Sequence, residues 1–357
     1  HAVLYQEGHT EVDREVIART LIGLMNNANV GGIVLLAVKS GAGSAYKNMC
    51  AERFEEEARK TGKPFRIVYL TNVGGSYNML GETLRLTREV LLEVSDFRRE
   101  NCPLSALTLG VKCGTSDATS GIAGNPCVGA AFDQLIRAGG TAFFSETTEI
   151  IGAEDLVAKR AVNESVAKKI LSAARHWEDK AKATGEDIRK ITPIPANIAA
   201  GISSLEEKSL GAIAKSGTSP IQDVLKYAEM PKGSGLYFVD SWMSSLSLPL
   251  CLTACGATIM LYQMGGGKIA QHPMMPSINP TVVSPFLYLT GNAIAYSRAP
   301  DNFDFDASPI MTEGASIPEM GTKLLEHLSA IASGTMTKME TLNYAEQLEL
   351  YMEGPVL

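Results

Sequence analysis

A polar loop after an apolar run in the middle of the chain contains side chains suited to chemistry. The run 106–112 (ALTLGVK) leads into Cys113, and the loop 114–125 is rich in glycine, serine and threonine. Thiolates are soft ligands that suit ferrous iron, so Cys113 is a candidate metal ligand and catalytic residue. The loop also predicts a substrate-binding surface formed by Ser116, Asp117, Ser120 and Asn125. Of these, Asp117 is also a candidate catalytic residue.

The end of this loop predicts the start of a helix. Pro126 suits the first helical position and Asn125 its cap, which would leave backbone N–H groups free to bind an anion such as a carboxylate. The loop has neither the GK[ST] ending of a P-loop nor the spacing of GxGxxG, so a nucleotide is not implied. A capped turn with solvated hydroxyls explains the same residues, and both interpretations stay open.

Two carboxylates follow another apolar run. Glu146 and Glu149 come directly after residues 141–145 (TAFFS). Carboxylates in that position can bind a metal or act as a general base. Glu149 also suits the first turn of a helix, beside the helix dipole. Glu146 is therefore the better candidate for catalysis and metal binding.

A glycine-rich segment, 262–268 (YQMGGGK), follows a third run. Its glycines let backbone approach a ligand closely, and Lys268 is a candidate catalytic residue that could pair with a carboxylate, although a flexible connection explains the segment equally. Further candidates for substrate binding are Asn197, Asp240, Ser241, Gly265, Gly266 and Gly267. Glu206 and Lys208 have the charge pattern of a solvated helix surface, so we expect no role for them in binding.

Composition and the remaining residue types disfavour several classes of protein. The formal net charge of −7 disfavours nucleic-acid binding, and no apolar stretch approaches the roughly 18 residues of a membrane span. The histidines show no HxH or HExxH spacing and no GxSxG is present, which disfavours zinc and serine hydrolases. The six cysteines include no CxxC pair, so we expect reduced thiols and a cytoplasmic location. Because the chain begins with His1, we expect an upstream segment.

Apolar runs alternate with amphipathic helical patterns along the chain. Strands are predicted at 32–38, 66–71, 106–112, 141–145, 236–240, 258–263 and 293–297. Helices are predicted at 11–28, 80–99, 126–138, 153–183, 204–216, 221–228 and 242–254, with a helical pair from 317 to about 352. Continuous apolar strands between amphipathic helices are typical of α/β proteins with mainly parallel, Rossmann-like sheets. The proline-containing stretch 185–200 predicts a hinge between a first α/β domain, 1–190, and a second, 191–357.

Three segments resemble one enzyme family. Residues 112–126 and 145–149 are similar to the pattern KCGGSDxxSGxxxNP followed by SExxE of the altronate/galactarate dehydratase family. Residues 19–38 (RTLIGLMNNANVGGIVLLAV) and 196–217 (ANIAAGISSLEEKSLGAIAKSG) resemble two other segments of that family. The resemblance therefore covers about residues 15–270.

This resemblance implies a lyase. Family members eliminate water from sugar acids with a divalent ion, for which Fe²⁺ is favoured over Mn²⁺ or Mg²⁺, and a related large subunit releases sulfite from 3-sulfolactate. It also implies a small-molecule hydroxy carboxylate as substrate, a small N-terminal domain or companion subunit, and a homo-oligomer. We expect sugar-acid dehydration to a 2-keto-3-deoxy acid, with sulfite release from 3-sulfolactate to give pyruvate and a non-catalytic binding subunit as the alternatives.

Three departures from the family pattern affect this interpretation. Thr115 replaces the second glycine of KCGGSD, which predicts a stiffer loop. Residues 37–40 (AVKS) replace the family's LGCE, so a cysteine and a glutamate that could serve the metal are absent. Residues 238–257 and the TTE at 147–149 are more similar to the sulfo-lyase branch.

Overall fold

The fold follows from apolar strands that are covered by helices on both faces. A computed structural model describes residues 11–38, 49–266, 279–281, 283–343 and 349–354. The predicted residues Gly267 and Lys268 lie outside the described residues. No helix within the described ranges is long and apolar enough to cross a membrane.

The strands are β1 (Ile33–Ala37), β2 (Phe65–Tyr69), β3 (Thr108–Gly114), β4 (Thr141–Phe144), β5 (Ile221–Leu225), β6 (Gly235–Val239), β7 (Ile259–Met264), β8 (Phe286–Thr290) and β9 (Phe305–Asp306). The helices are α1 (Glu11–Asn26), α2 (Ala51–Lys60), α3 (Ser76–Ser95), α4 (Asn125–Arg137), α5 (Thr147–Ile150), α6 (Glu154–Ala158), α7 (Glu164–Ala183), α8 (Ile188–Ile191), α9 (Pro195–Ala199), α10 (Leu205–Ile213), α11 (Ser247–Ala254), α12 (Ala293–Arg298), α13 (Pro309–Thr312), α14 (Ile317–Ala332) and α15 (Lys338–Thr341).

One large sheet contains β3 to β9 in the order β5-β6-β4-β3-β7-β8-β9, and β1 and β2 form a separate pair. All pairings are parallel, so the carboxyl ends of the strands in each sheet meet at one edge. The predicted α/β architecture with parallel sheets is confirmed. The large sheet takes β3 and β4 from the first predicted domain and its other strands from the second, so strands on both sides of residue 190 pair in it.

Side chains of β3 alternate between the two faces of the large sheet. Leu109 and Val111 pack in the core beneath α4, α7 and α14. Cys113 has the same parity as those two residues, so it points to the α4 face. Lys112 points the other way, and its ammonium lies over the ring of Tyr262, 4.9 Å from the centroid.

Two predicted elements were wrong in type. Residues 221–228 do not form a helix, because 221–225 pair with β6 as the edge strand β5. Residues 293–297 belong to α12 instead of a strand, because the Asn292 side chain accepts hydrogen bonds from Ile294 N and Ala295 N and caps a helix. The strand of this region is β8, which the sequence analysis missed.

The predicted helix 153–183 is divided. Residues 159–163 lie between α6 and α7, and the Asn163 side chain caps α7 by accepting from Val166 N at 3.0 Å. Of the predicted C-terminal helical pair, α14 is long and α15 is a single turn.

Candidate functional site

A buried cluster of a thiol, carboxylates and ammonium groups lies at the carboxyl ends of β3 and β4. Cys113 lies near the end of β3, and Glu146 follows β4 in the left-handed conformation, with φ 73°. A non-glycine residue in that conformation is strained, which is typical of functional sites. Glu149 lies in α5 and Lys215 in the turn after α10, and all four side chains are almost completely buried.

Short contacts connect the members of this cluster. The Cys113 sulfur lies 2.8 Å from Glu149 Oε2 and 3.3 Å from Glu146 Oε2. The Lys215 ammonium lies 3.0 Å from that sulfur and 3.1 Å from Glu149 Oε2, and it forms an ion pair with Glu146. The Lys112 ammonium donates to Glu146 Oε1 at 3.2 Å. The cluster therefore holds two carboxylates and two ammonium groups around one thiol.

Burial and charge shift the protonation equilibria of the cluster. Burial raises the pKa of the Cys113 thiol well above its usual value, and the carboxylates of Glu146 and Glu149 raise it further. Burial alone would raise the pKa of Glu146, but the ammonium groups of Lys215 and Lys112 lower it to about 2. Burial alone would lower the pKa of Lys215, but Cys113 and the carboxylates raise it. The thiol is therefore protonated at neutral pH, and the remaining charges cancel.

The donor set of this cluster fits a divalent metal. Ligand atoms of Cys113, Glu146 and Glu149 all lie within 4.8 Å of one another. One thiolate with two carboxylates suits ferrous or related ions. Glu149, which the sequence analysis ranked below Glu146, completes the set. Lys215 contacts all three donors, so the ion fits only where its ammonium is displaced.

Asp117 caps the helix that begins in the polar loop. Its Oδ1 accepts hydrogen bonds from Ser120 N at 3.0 Å and Thr119 Oγ1 at 2.7 Å. A π-helical turn, Ser120–Gly124, then leads directly into α4. The prediction that Asn125 caps α4 was wrong, because helical backbone already precedes it, and its Nδ2 donates to Gly211 O at 2.8 Å instead.

A cavity of about 530 Å³ brings together the loop residues that the sequence analysis selected. Its lining includes Ser116, Asp117, Ser120 and Asn125 from the loop, and Lys208 from α10. Within the described residues, Asn125 Oδ1 is buried without a hydrogen-bond partner. Buried polar atoms without partners are uncommon in folded proteins, so this oxygen is an acceptor available to a group bound in the cavity. Ser116, in the lining of this cavity, follows Cys113 of the cluster by three residues along the chain.

Lys208 is the residue that the sequence analysis most clearly missed. It is 7% exposed, although the charge pattern predicted a solvated surface. No hydrogen bond or ion pair of its ammonium occurs among the described residues. Its position follows from the start of α10, where the Ser204 hydroxyl caps the helix by accepting from Glu207 N at 3.2 Å. Most of the side chain is buried, and its ammonium, unpaired among the described residues, lines the cavity, where it favours an anionic ligand.

A buried amide was also missed. Gln263 pairs in register with Cys113 across β3 and β7, so both side chains point to the same face. Within the described residues, neither its Nε2 nor its Oε1 has a hydrogen-bond partner. The sequence analysis selected the segment 262–268 for its glycines and Lys268 and gave no role to Gln263.

The other predicted substrate-binding residues occupy different places. Asn197 lies behind the loop and donates to Ser116 O at 2.9 Å. Gly265 and Gly266 approach protein atoms, since a Cβ would lie 2.2 Å from Thr115 O and 2.1 Å from Asn292 Nδ2, respectively. Asp240 and Ser241 line a separate, larger cavity of about 1330 Å³. There Asp240 Oδ1 accepts from Thr147 Oγ1 at 2.7 Å and Trp177 Nε1 at 2.8 Å.

The fold and the cluster define an α/β protein with a preorganised polar site at the edge of a parallel sheet. The family model described as D-galactarate/altronate dehydratase, C-terminal, matches residues 104–355. The chain therefore belongs to the D-galactarate/altronate dehydratase family, and the relatives below carry the names of lyases.

Three curated relatives match much of the chain. It is 31% identical to the (2R)-sulfolactate sulfo-lyase subunit beta of Chromohalobacter salexigens, over 94% of this chain and 82% of that protein. It is 34% identical to the galactarate dehydratase (L-threo-forming) of Escherichia coli K12, over 79% of this chain and 52% of that protein. It is 30% identical to the altronate dehydratase of Bacillus subtilis 168, over 97% of this chain and 65% of that protein. The chain thus spans about half to two thirds of the two dehydratases.

Proposed function

We propose that the chain is a metal-dependent lyase that performs β-elimination on a small 2-hydroxy carboxylate. The observation that carries this proposal is the Lys208 ammonium, unpaired among the described residues, in a polar cavity lined by the loop that follows Cys113. The ammonium supplies the charge that a substrate carboxylate needs, and the Ser116 hydroxyl supplies a hydrogen bond, whereas the Ser120 hydroxyl already donates to Asp117 Oδ1 at 3.2 Å. The names of the relatives support a lyase of this kind.

The metal part of the proposal rests on Cys113, Glu146 and Glu149 as ligands, with Fe²⁺ favoured because of the thiolate and Mn²⁺ or Mg²⁺ as alternatives. A bound divalent ion would polarise the substrate oxygens and stabilise an enolate. Lys112 holds Glu146 in place through its contact with Oε1. The closed packing around the cluster excludes water and strengthens these electrostatic interactions.

The charges around the cavity favour a sugar acid over a sulfonate. Among the described residues that line it, Lys208 is the one cation, while Asp117, Glu206 and Glu207 are acidic. A single cation suits one carboxylate, and acidic and hydroxyl groups suit a polyhydroxylated chain. Altronate carries one carboxylate, whereas galactarate and 3-sulfolactate each carry two anionic groups, so this argument favours altronate. We propose dehydration of a sugar acid of the altronate or galactarate type to a 2-keto-3-deoxy acid, with galactarate supported by the similarity to the galactarate dehydratase. Sulfite release from 3-sulfolactate is the second candidate, supported by the similarity to the sulfo-lyase subunit.

A companion protein and self-association are further parts of the proposal. The sulfo-lyase relative is named a beta subunit, which supports a partner subunit for that protein and, by similarity, a small companion for this chain. We also propose a homo-oligomer and a cytoplasmic location. Light scattering of the purified chain, alone and with the companion, measures both associations.

Product analysis tests the proposed activity. The chain, with any companion that copurifies, is loaded anaerobically with Fe²⁺ and incubated separately with altronate, galactarate and 3-sulfolactate. A 2-keto-3-deoxy acid from either sugar acid supports the first candidate, and sulfite with pyruvate supports the second. No product from any of them, with metal bound, would contradict both candidates and favour a non-catalytic binding subunit.

A further inference from the structure

The Lys215 ammonium occupies the space between the three candidate metal ligands. Its Nζ lies 3.0 Å from Cys113 Sγ and 3.1 Å from Glu149 Oε2, and it pairs with Glu146. A divalent ion bound to these atoms would lie about 2.0–2.3 Å from each of them. The ammonium and the ion would therefore need the same space.

The charge of the cluster leads to the same conclusion. Two carboxylates face the ammonium groups of Lys112 and Lys215, so the buried charges already cancel. Adding a divalent ion without displacing a cation would leave an excess of positive charge away from water, which is strongly unfavourable. One ammonium must leave when the ion enters.

The surroundings identify Lys215 as the one that leaves. Lys112 Nζ contacts Glu146 through Oε1 and also donates to Cys113 O at 2.6 Å, so it lies to one side of the three ligand atoms. The backbone after Lys215 is held in place, because the Asp133 carboxylate accepts hydrogen bonds from Thr218 N and Ser219 N. The displacement therefore falls to the Lys215 side chain and not to the backbone that follows it.

We propose that Lys215 is an internal cation that competes with the metal for Cys113, Glu146 and Glu149. It keeps the ligands together in the metal-free chain and turns away when a divalent ion binds. This inference rests on the metal site of the proposed function. It adds that the affinity for metal is set by a lysine that is not itself a ligand.

Metal binding to matched variants tests this inference without an activity assay. Mn²⁺ is titrated by calorimetry into the wild-type chain, Lys215→Met and Lys112→Met, and bound metal is counted after gel filtration. We expect Lys215→Met to bind Mn²⁺ at least tenfold more tightly than the wild type. The affinity of Lys112→Met for Mn²⁺ should rise much less, because this substitution removes the same charge from beside the ligands and not from between them.

Several outcomes would overturn the inference. Equal or weaker binding by Lys215→Met, or an equal gain in both variants, would show that Lys215 does not compete by position. If Lys215→Met does not fold, Lys215→Gln replaces the ammonium with a neutral group of similar reach and carries the same expectation. No binding by the wild type or any folded variant would reject the metal site itself, and with it the metal dependence of the proposed function.

Discussion

The carboxylate of Asp117 accepts a hydrogen bond from the backbone amide of Gly266, with Oδ2 at 2.7 Å from the nitrogen. The same oxygen accepts from Asn292 Nδ2 at 2.9 Å, while Oδ1 caps the helical turn at Ser120. Asp117 thus joins the segments that follow β3, β7 and β8 at one edge of the sheet. Its two oxygens are occupied by protein donors, which supports a positioning role for a residue that the sequence selected for catalysis.

Replacing Asp117 should therefore destabilise the fold. In the wild type, both oxygens of the Asp117 carboxylate accept hydrogen bonds. In Asp117→Asn one of these oxygens is replaced by an NH2 group, which cannot accept, and the negative charge is lost. Hydrogen bonds to charged groups are worth about 1.5–3 kcal/mol. We expect the free energy of unfolding in urea to fall by about 2–3 kcal/mol at pH 7. Asp179→Asn, at an exposed position of α7, serves as the control. A loss in Asp117→Asn no larger than in that control would argue against the joining role.

The architecture could be predicted because burial on both faces leaves a simple pattern. Strands that are buried on both faces give continuous apolar runs such as 141–145 and 258–263, and these runs are assigned to strands of a parallel sheet without ambiguity. The edge strand β5 was missed, since an edge strand is partly polar and its apolar residues 221, 224 and 225 also match helical spacing. Helix α12 was missed because a single capping residue, Asn292, determines its type.

The residues of the candidate site that could be predicted are those that directly follow an apolar run in the sequence. Cys113 and Glu146 each directly follow an apolar run, so the position of both at one sheet edge follows from parallel topology. Lys208 lies in α10 and Lys215 in the turn after it, about 100 residues later, and their burial depends on how this part of the chain packs against the loop and the cluster. Periodicity along one helix contains no information about such packing, which is why Lys208 was assigned to the surface.

Lys208 should determine the affinity for the substrate carboxylate. Lys208→Met keeps the length of the side chain but removes the charge, so we expect KM to rise roughly 10- to 100-fold for the active substrate, with a smaller change in kcat. Lys208→Arg should recover part of the affinity. The exposed Lys190→Met is the matched control. A KM for Lys208→Met equal to that of the control would remove Lys208 from the binding site.

Ser116 should contribute one hydrogen bond to the same anion. Its side chain lines the cavity, and its backbone carbonyl is held by Asn197, so the loop keeps its shape when the hydroxyl is deleted. We expect Ser116→Ala to weaken substrate binding by about 1–2 kcal/mol, measured as KM or by competition with an inert analogue. Unchanged affinity in Ser116→Ala, Ser120→Ala and Asn125→Ala together would leave the loop as a capped turn without a binding function.

Cys113 should be needed for tight metal binding. Serine keeps the hydrogen bonds to Glu146 and Glu149 but replaces a soft ligand with a hard, weakly acidic one. We expect Cys113→Ser to retain at most a tenth of the iron that the wild type holds after anaerobic dialysis. The buried Cys127→Ser, whose thiol lies in the core beneath the sheet, controls for general damage. If Cys113→Ser held as much iron as the wild type, Cys113 would not be needed for metal binding and its role would be structural.

Glu146 should make the fold sensitive to acid over a defined range. Its pKa in the folded chain is about 2, below the ordinary value of 4.5, because Lys215 and Lys112 favour the carboxylate. A carboxyl with a lowered pKa stabilises the fold above pH 4.5, and this contribution is lost as the pH falls towards 2. The difference in free energy of unfolding between the wild type and Glu146→Gln should therefore be largest near neutral pH and shrink steadily below pH 4.5. Urea titrations between neutral pH and pH 3 measure this difference, with the exposed Glu186→Gln as a control expected to show no such trend. A difference that stays constant over the range would mean that the ammonium groups do not hold Glu146 as a carboxylate.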